Sequence, residues 1–147
     1  MTEYNKVFID TTPLIYFLDN DPNFGNKAKQ IFVEILSDGK QMITSTATCT
    51  EYLVYPFKTN NQDKIDVFFE FVQNEEIPLV PLTVNIAKKA AQIRAAYAGF
   101  KAMDAIQLAT AVETGCDLFL TNDKQLRQFR EITCMTVEEW TLENYNN

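Results

Sequence analysis

Residues 6–16 read Lys6-Val7-Phe8-Ile9-Asp10-Thr11-Thr12-Pro13-Leu14-Ile15-Tyr16. Val7, Phe8 and Ile9 form a short apolar run, the pattern of a buried strand, and the run stops at Asp10. Thr12-Pro13 has the form of a helix N-cap followed by proline at the first helical position. Leu14, Ile15, Phe17 and Leu18 then continue an apolar helix. A strand thus passes into a helix through an acid.

The same alternation continues along the chain. Helices are expected over about 26–37, with Ala28, Ile31, Phe32, Ile35 and Leu36 on one face and a stop at Gly39, and over 62–74. Another is expected from a Thr83 cap to about residue 98. Asp104 opens a further helix that ends at Gly115, and a short one follows near 124–128. Between them lie strand-like runs at 41–44, 77–82, 117–121 and 132–135. Thr46 or Thr48 starts a helix containing Glu51, with Pro56 ending it near Tyr55. The tail from residue 137 is acidic and reads as partly helical. Short apolar strands alternating with helices point to an α/β fold with a parallel sheet covered on both faces. No repeat, linker or low-complexity tract divides the 147 residues, so one domain over 1–147 is expected.

Composition narrows the chemistry. Hydrophobic residues make up 46% and charged residues 22%, as in a globular protein. No apolar run approaches a membrane span and no secretory signal opens the chain, so a cytoplasmic protein without a membrane partner is expected. There is no histidine, which excludes Ser-His-Asp and Cys-His catalysis and any histidine-ligated metal. Three widely spaced cysteines suit neither a disulfide framework nor structural zinc.

The net charge of −7 argues against passive nucleic-acid binding, but its distribution is uneven. Residues 77–130 carry seven bases and four acids, a balance of +3, leaving −10 for the remainder.

Four acids fall at strand ends or helix starts: Asp10, Glu51, Asp104 and Asp123. In an open parallel sheet, ligands gather outside the carboxyl ends of the strands, where strand order reverses. If the first and fourth strands are neighbours, all four acids can converge there. Crowded carboxylates repel one another unless a cation compensates them, and hard oxygens without His or Cys suit Mg²⁺ or Mn²⁺. Setting the four aside takes the net charge from −7 to −3. Each acid also has a purely structural reading. Asp104 to Gln107 and Thr48 to Glu51 can each form a capping box, Asp123 can cap a helix, and Asp10 can serve the turn before Thr12-Pro13. Thr11, Thr12, Thr121 and Asn122 flank Asp10 and Asp123 and can orient their carboxylates, or simply build turns.

Taken together, these segments resemble the PIN-domain ribonucleases. Phe8 to Tyr16 resembles the family's opening motif, and Thr50-Glu51-Tyr52 its mid-chain glutamate motif. Met103-Asp104-Ala105-Ile106-Gln107-Leu108-Ala109-Thr110-Ala111 resembles the third motif, and Cys116 to Asp123 the final strand with its Thr-Asn-Asp end. The resemblance covers nearly the whole chain in order. It implies a three-layer α/β/α PIN-like fold with a parallel sheet in the order 3-2-1-4-5, and Mg²⁺- or Mn²⁺-dependent cleavage of RNA. By position, Asp10, Asp104 and Asp123 would be metal ligands, Glu51 a ligand or the holder of a water on the metal, and Thr121 a support. Small members of the family are often VapC-type toxins of type II toxin–antitoxin pairs, so a homodimer and a cognate antitoxin are implied as partners, with RNA as substrate.

Lys101, Lys124 and Arg127 flank the acids and are candidates for holding phosphates, or an ordinary solvated face. Tyr52, Tyr55, Phe57, Phe68, Phe69 and Phe71 are read mainly as core, with any excess serving a dimer or antitoxin groove. Two other classes compete. One is a catalytically weak PIN-like regulator that binds RNA or protein. The other is a phosphatase with an aspartyl nucleophile, for which a second aspartate is wanted where Thr12 stands.

Overall fold

The computed structural model describes residues 4–140. Five strands, β1 (Lys6–Ile9), β2 (Gln41–Ser45), β3 (Leu79–Val80), β4 (Leu118–Thr121) and β5 (Thr133–Thr136), form an all-parallel sheet in the order β3-β2-β1-β4-β5. The helices are α1 (Thr11–Leu18), α2 (Gly25–Ser37), α3 (Thr46–Tyr52), α4 (Val54–Lys58), α5 (Gln62–Asn74), α6 (Val84–Ala96) and α7 (Ala102–Glu113), with a short 3₁₀ helix at Lys124–Gln128. This is the α/β architecture and strand order expected from the sequence.

Strand geometry sends alternate side chains to opposite faces, and both faces are covered. Val7, Ile9, Leu118 and Leu120 point to one side, into a core with Leu14, Ile31, Phe32, Ile35 and Phe68. Phe8 and Phe119 point to the other side, into a core with Ile86, Ile93, Ala105 and Leu108. Their rings stack across neighbouring strands at 5.1 Å and 3°. The near-continuous apolar runs of β1 and β4 follow from burial on both faces.

Some local expectations change. Helix α1 starts at Thr11, and its N-cap is Asp10 rather than Thr12. Thr12 and Pro13 lie inside the first turn, where a missing N–H is still free of cost. Pro56 does not end the Glu51 helix. That helix stops at Tyr52, and Pro56 sits in the first turn of the new helix α4. Strand β3 is only two residues long. Gly39 does terminate α2, at a left-handed φ of 72°. The aromatic set divides. Tyr52 and Phe68 are buried and Phe71 is half-buried, whereas Tyr55, Phe57 and Phe69 are exposed. The expected tail helix begins over 137–140, and its remainder lies outside the described residues. Among the described residues all three cysteines are free, and no helix is long and apolar enough to cross a membrane.

Candidate active site at the sheet reversal

Strand order reverses between β1 and β4, because β2 and β3 build outward on one side and β5 on the other. Asp10 stands at that point. Its N–H extends the β1–β4 ladder by one bond, to the Leu120 carbonyl at 2.9 Å. Its carboxylate caps α1 by accepting from the Thr11 N–H at 2.9 Å. The other oxygen accepts from the Thr121 hydroxyl at 2.8 Å, and the Gln107 amide nitrogen lies 3.4 Å from the first. Burial pushes the Asp10 carboxyl up to about 6. The bonds from Thr121, Thr11 and Gln107 pull it down, and the charge of Glu51 pushes it further up.

Glu51 lies on α3, exposed, and accepts from the Thr11 hydroxyl at 2.6 Å. Thr11 therefore holds two acids at once, Asp10 through its N–H and Glu51 through its O–H. The cap of α3 is Ser45, not Thr46 or Thr48: its hydroxyl accepts from the Thr48 N–H at 3.3 Å. The expected Thr48–Glu51 capping box is not formed, and Thr48 is instead fully buried beneath the site.

Asp104 sits in the first turn of α7 and its carboxylate accepts from the Lys101 N–H at 3.1 Å. The capping bond runs backward to Lys101 and does not involve Gln107. One turn on, Gln107 reaches Asp10, so Asp104 lies on the helix face that meets the site. Asp123 caps the 3₁₀ helix by accepting from the Gln125 N–H at 3.0 Å. Its own N–H donates at 3.1 Å to the Thr121 hydroxyl that holds Asp10. Asp10 and Thr121 are thus joined directly, and Glu51 is joined to Asp10 through Thr11. The carboxylates of Asp104 and Asp123 are engaged by amides of their own helix starts.

Thr12 is half-buried and Asn122 exposed, and among the described residues no hydrogen bond ties either to an acid. Lys101 and Lys124 are exposed beside Asp104 and Asp123. Arg127 is already paired, with Glu139 at 3.0 Å. Asp117 plays a structural part at the opposite end of the sheet, where its carboxylate accepts from the N–H groups of Asn5 and Lys6 at 2.9 and 3.1 Å.

Sequence reasoning missed Gln107, Thr48, Ser45 and Thr44, all buried around Asp10. A signal existed: Gln107 is a polar residue among Ala105, Leu108 and Ala109, which form the core face of α7. A buried amide in such a place needs polar partners.

The donor set is all oxygen and acidic, which suits a hard divalent cation. Among the described residues no cationic side chain is bonded to the half-buried Asp10 carboxyl, on which the charge of Glu51 bears. Among the described residues, however, no three acids or thiols stand together as a ready-made cage.

Comparison with known proteins bears on the family and the fold. The PIN domain profile matches residues 7–132. No curated protein matches by sequence at a significant level. Among solved structures, the DNA-bound VapBC of Salmonella typhimurium is similar at 21% identity and a TM-score of 0.71, covering 90% of this chain and 98% of that one. VapBC2 of Rickettsia felis, bound to a promoter DNA fragment, gives 13%, 0.69, 89% and 98%. VapC20 of Mycobacterium tuberculosis, a toxin that cleaves the sarcin-ricin loop, gives 14%, 0.66, 86% and 98%. At these identities the likeness to each is one of fold. With its profile match running across most of the chain and a VapC-like fold around the acids at the sheet reversal, the chain belongs to the PIN domain family.

Proposed function

We propose that the protein is a metal-dependent endoribonuclease and the toxin of a toxin–antitoxin pair. PIN membership supports a nuclease, and the VapC-like fold supports the toxin reading. The observation that carries the chemistry is Asp10: a half-buried carboxylate at the sheet reversal, tied by Thr121, Thr11 and Gln107 and bridged to Glu51 through Thr11.

Asp10, Asp104 and Asp123 would hold Mg²⁺ or Mn²⁺, with Glu51 at their side. The cation supplies neutralisation of the charge that builds on the phosphodiester and makes water a stronger nucleophile. The chain's own residues do the rest. Thr121 and Thr11 fix the two oxygens of Asp10, and Thr11 fixes Glu51, where that carboxylate can receive a proton from the attacking water. Lys101 and Lys124 are exposed to meet RNA phosphates. Glu139 competes with any phosphate for the Arg127 guanidinium. The reading takes 1–147 as one PIN-like domain acting in the cytoplasm, as a homodimer inhibited by a cognate antitoxin. A catalytically weak regulator is the second reading, favoured by the helix-capping hydrogen bonds that engage one oxygen each of Asp104 and Asp123.

The test incubates the protein and an Asp10→Asn/Asp104→Asn variant with bulk cellular RNA and tRNA, in Mg²⁺, Mn²⁺ or chelator. Discrete fragments from the unaltered protein alone, abolished by chelator, are expected. Equal cleavage by both proteins refutes the assigned site, and the absence of both cleavage and metal binding favours the regulator.

A further inference from the structure

Gln107 is the buried polar side chain that touches three of the segments carrying the acids. It lies on α7, one turn beyond Asp104, and is 1% exposed. Its amide oxygen accepts from the hydroxyl of Ser45, the residue that caps α3. Its amide nitrogen donates to the Thr48 hydroxyl at 2.8 Å and faces Asp10 at 3.4 Å.

The neighbouring hydroxyls fix this orientation. Thr44 lies 2.8 Å from the Ile9 carbonyl and 2.8 Å from Thr48. A bond to that carbonyl uses the one proton Thr44 has, which leaves the Thr48 proton for the Thr44 oxygen. The Thr48 oxygen is then free to accept, and the Gln107 NH₂ is the donor it faces. Ser45 can give its own proton only to an acceptor, which is the Gln107 oxygen. Among the described residues no buried side-chain nitrogen or oxygen is left without a partner. A flipped amide, or an apolar side chain, breaks this account at two places.

We propose that Gln107 is a positioning residue for the acids at the sheet reversal: its buried amide couples the helix of Asp104 to Asp10 and to the helix of Glu51, and so sets how tightly these acids hold a divalent cation. The proposal rests on the metal-dependent reading given above. Partners of this kind, which orient ligands without touching the ion, typically account for about 10- to 100-fold in metal affinity.

The test is a Mn²⁺ titration of the purified full chain, with free Mn²⁺ read by electron paramagnetic resonance and folding checked by near-ultraviolet circular dichroism. Gln107→Met keeps the length of the side chain and removes both hydrogen-bonding functions. Gln107→Asn keeps an amide that is one methylene too short to span the network, and it decides the matter should Gln107→Met fail to fold. Thr110→Val, on the same helix, is the control: Thr110 is equally buried, and its hydroxyl bonds only its own helix, at the Ile106 carbonyl. The expected result is a Kd about 10- to 100-fold higher in Gln107→Met, a smaller rise in Gln107→Asn and none in Thr110→Val. Saturating Mn²⁺ should return the cleavage rate of Gln107→Met towards that of the unaltered protein. Wild-type Mn²⁺ affinity in a folded Gln107 variant, or an equal loss in Thr110→Val, overturns the role of Gln107 and leaves the nuclease reading standing. An unaltered protein that neither binds Mn²⁺ nor cleaves RNA overturns both.

Discussion

Replacing Asp10 by asparagine should make the cation-free protein more stable at neutral pH, although it removes the central acid of the site. The folded protein holds the Asp10 carboxyl at about 6, against 3.8 for the ordinary group. Between those two values the folded state keeps a proton that the unfolded chain releases. The stability this group contributes is therefore fully present below 3.8 and is lost as the pH rises to about 6. The loss proceeds at up to about 1.4 kcal/mol per pH unit and amounts to about 3 kcal/mol at pH 7. Asparagine carries no charge and keeps one oxygen for the Thr11 N–H and the Gln107 amide. It gives up the acceptor for the Thr121 hydroxyl, which costs about 1 kcal/mol. The net gain is about 2 kcal/mol. For a chain of this size that corresponds to a melting temperature higher by about 4–8 °C. The assay is thermal unfolding of both proteins in chelator, at constant ionic strength, from pH 4 to pH 8. The gain should be absent at pH 4, grow to pH 6 and then level off. A variant that melts at or below the unaltered protein at pH 7, or two melting curves that run parallel across the whole range, would refute the burial argument.

Three further outcomes follow from the geometry. Phe119→Ala removes a fully buried ring stacked on Phe8 and should cost about 3–5 kcal/mol, read from the midpoint of urea unfolding. Asp117→Ala frees the amides of Asn5 and Lys6 at the far end of β1 and should cost about 1 kcal/mol, leaving Mn²⁺ affinity unchanged in the same titration. Lys124→Ala should weaken RNA binding more than Arg127→Ala does, because the Arg127 guanidinium is already paired with Glu139; fluorescence anisotropy with a labelled RNA at two salt concentrations ranks the two.

Much of the fold was legible because burial on both faces of a parallel sheet leaves a strong mark. Val7-Phe8-Ile9 and Leu118-Phe119-Leu120 have no polar alternation because neither face meets water. Helix ends were harder to read. Thr12-Pro13 looks like a cap and a first residue, yet Asp10 takes the cap because its carboxylate reaches the Thr11 N–H first. Pro56 looks like a terminator, yet a break between helices at Leu53 places it in a first turn, where proline fits. The exposure of Tyr55, Phe57 and Phe69 was hidden for a related reason, since α4 and α5 offer more apolar faces than the sheet can cover.

The candidate site shows the same division. The sequence by itself determined which acids stand at strand ends and helix starts, because chain order and period fix where elements begin. It also determined that the site has no histidine to work with. Only the tertiary structure decided which groups meet. Thr11 bridges Asp10 to Glu51, 41 positions further on, and Gln107 joins α7 to Asp10 and to Thr48, because β1 lies between β2 and β4 in the sheet and so brings distant segments to one point. Hydrogen bonds of this kind depend on direction and on a few tenths of an ångström. Apolar periodicity carries no information on that scale.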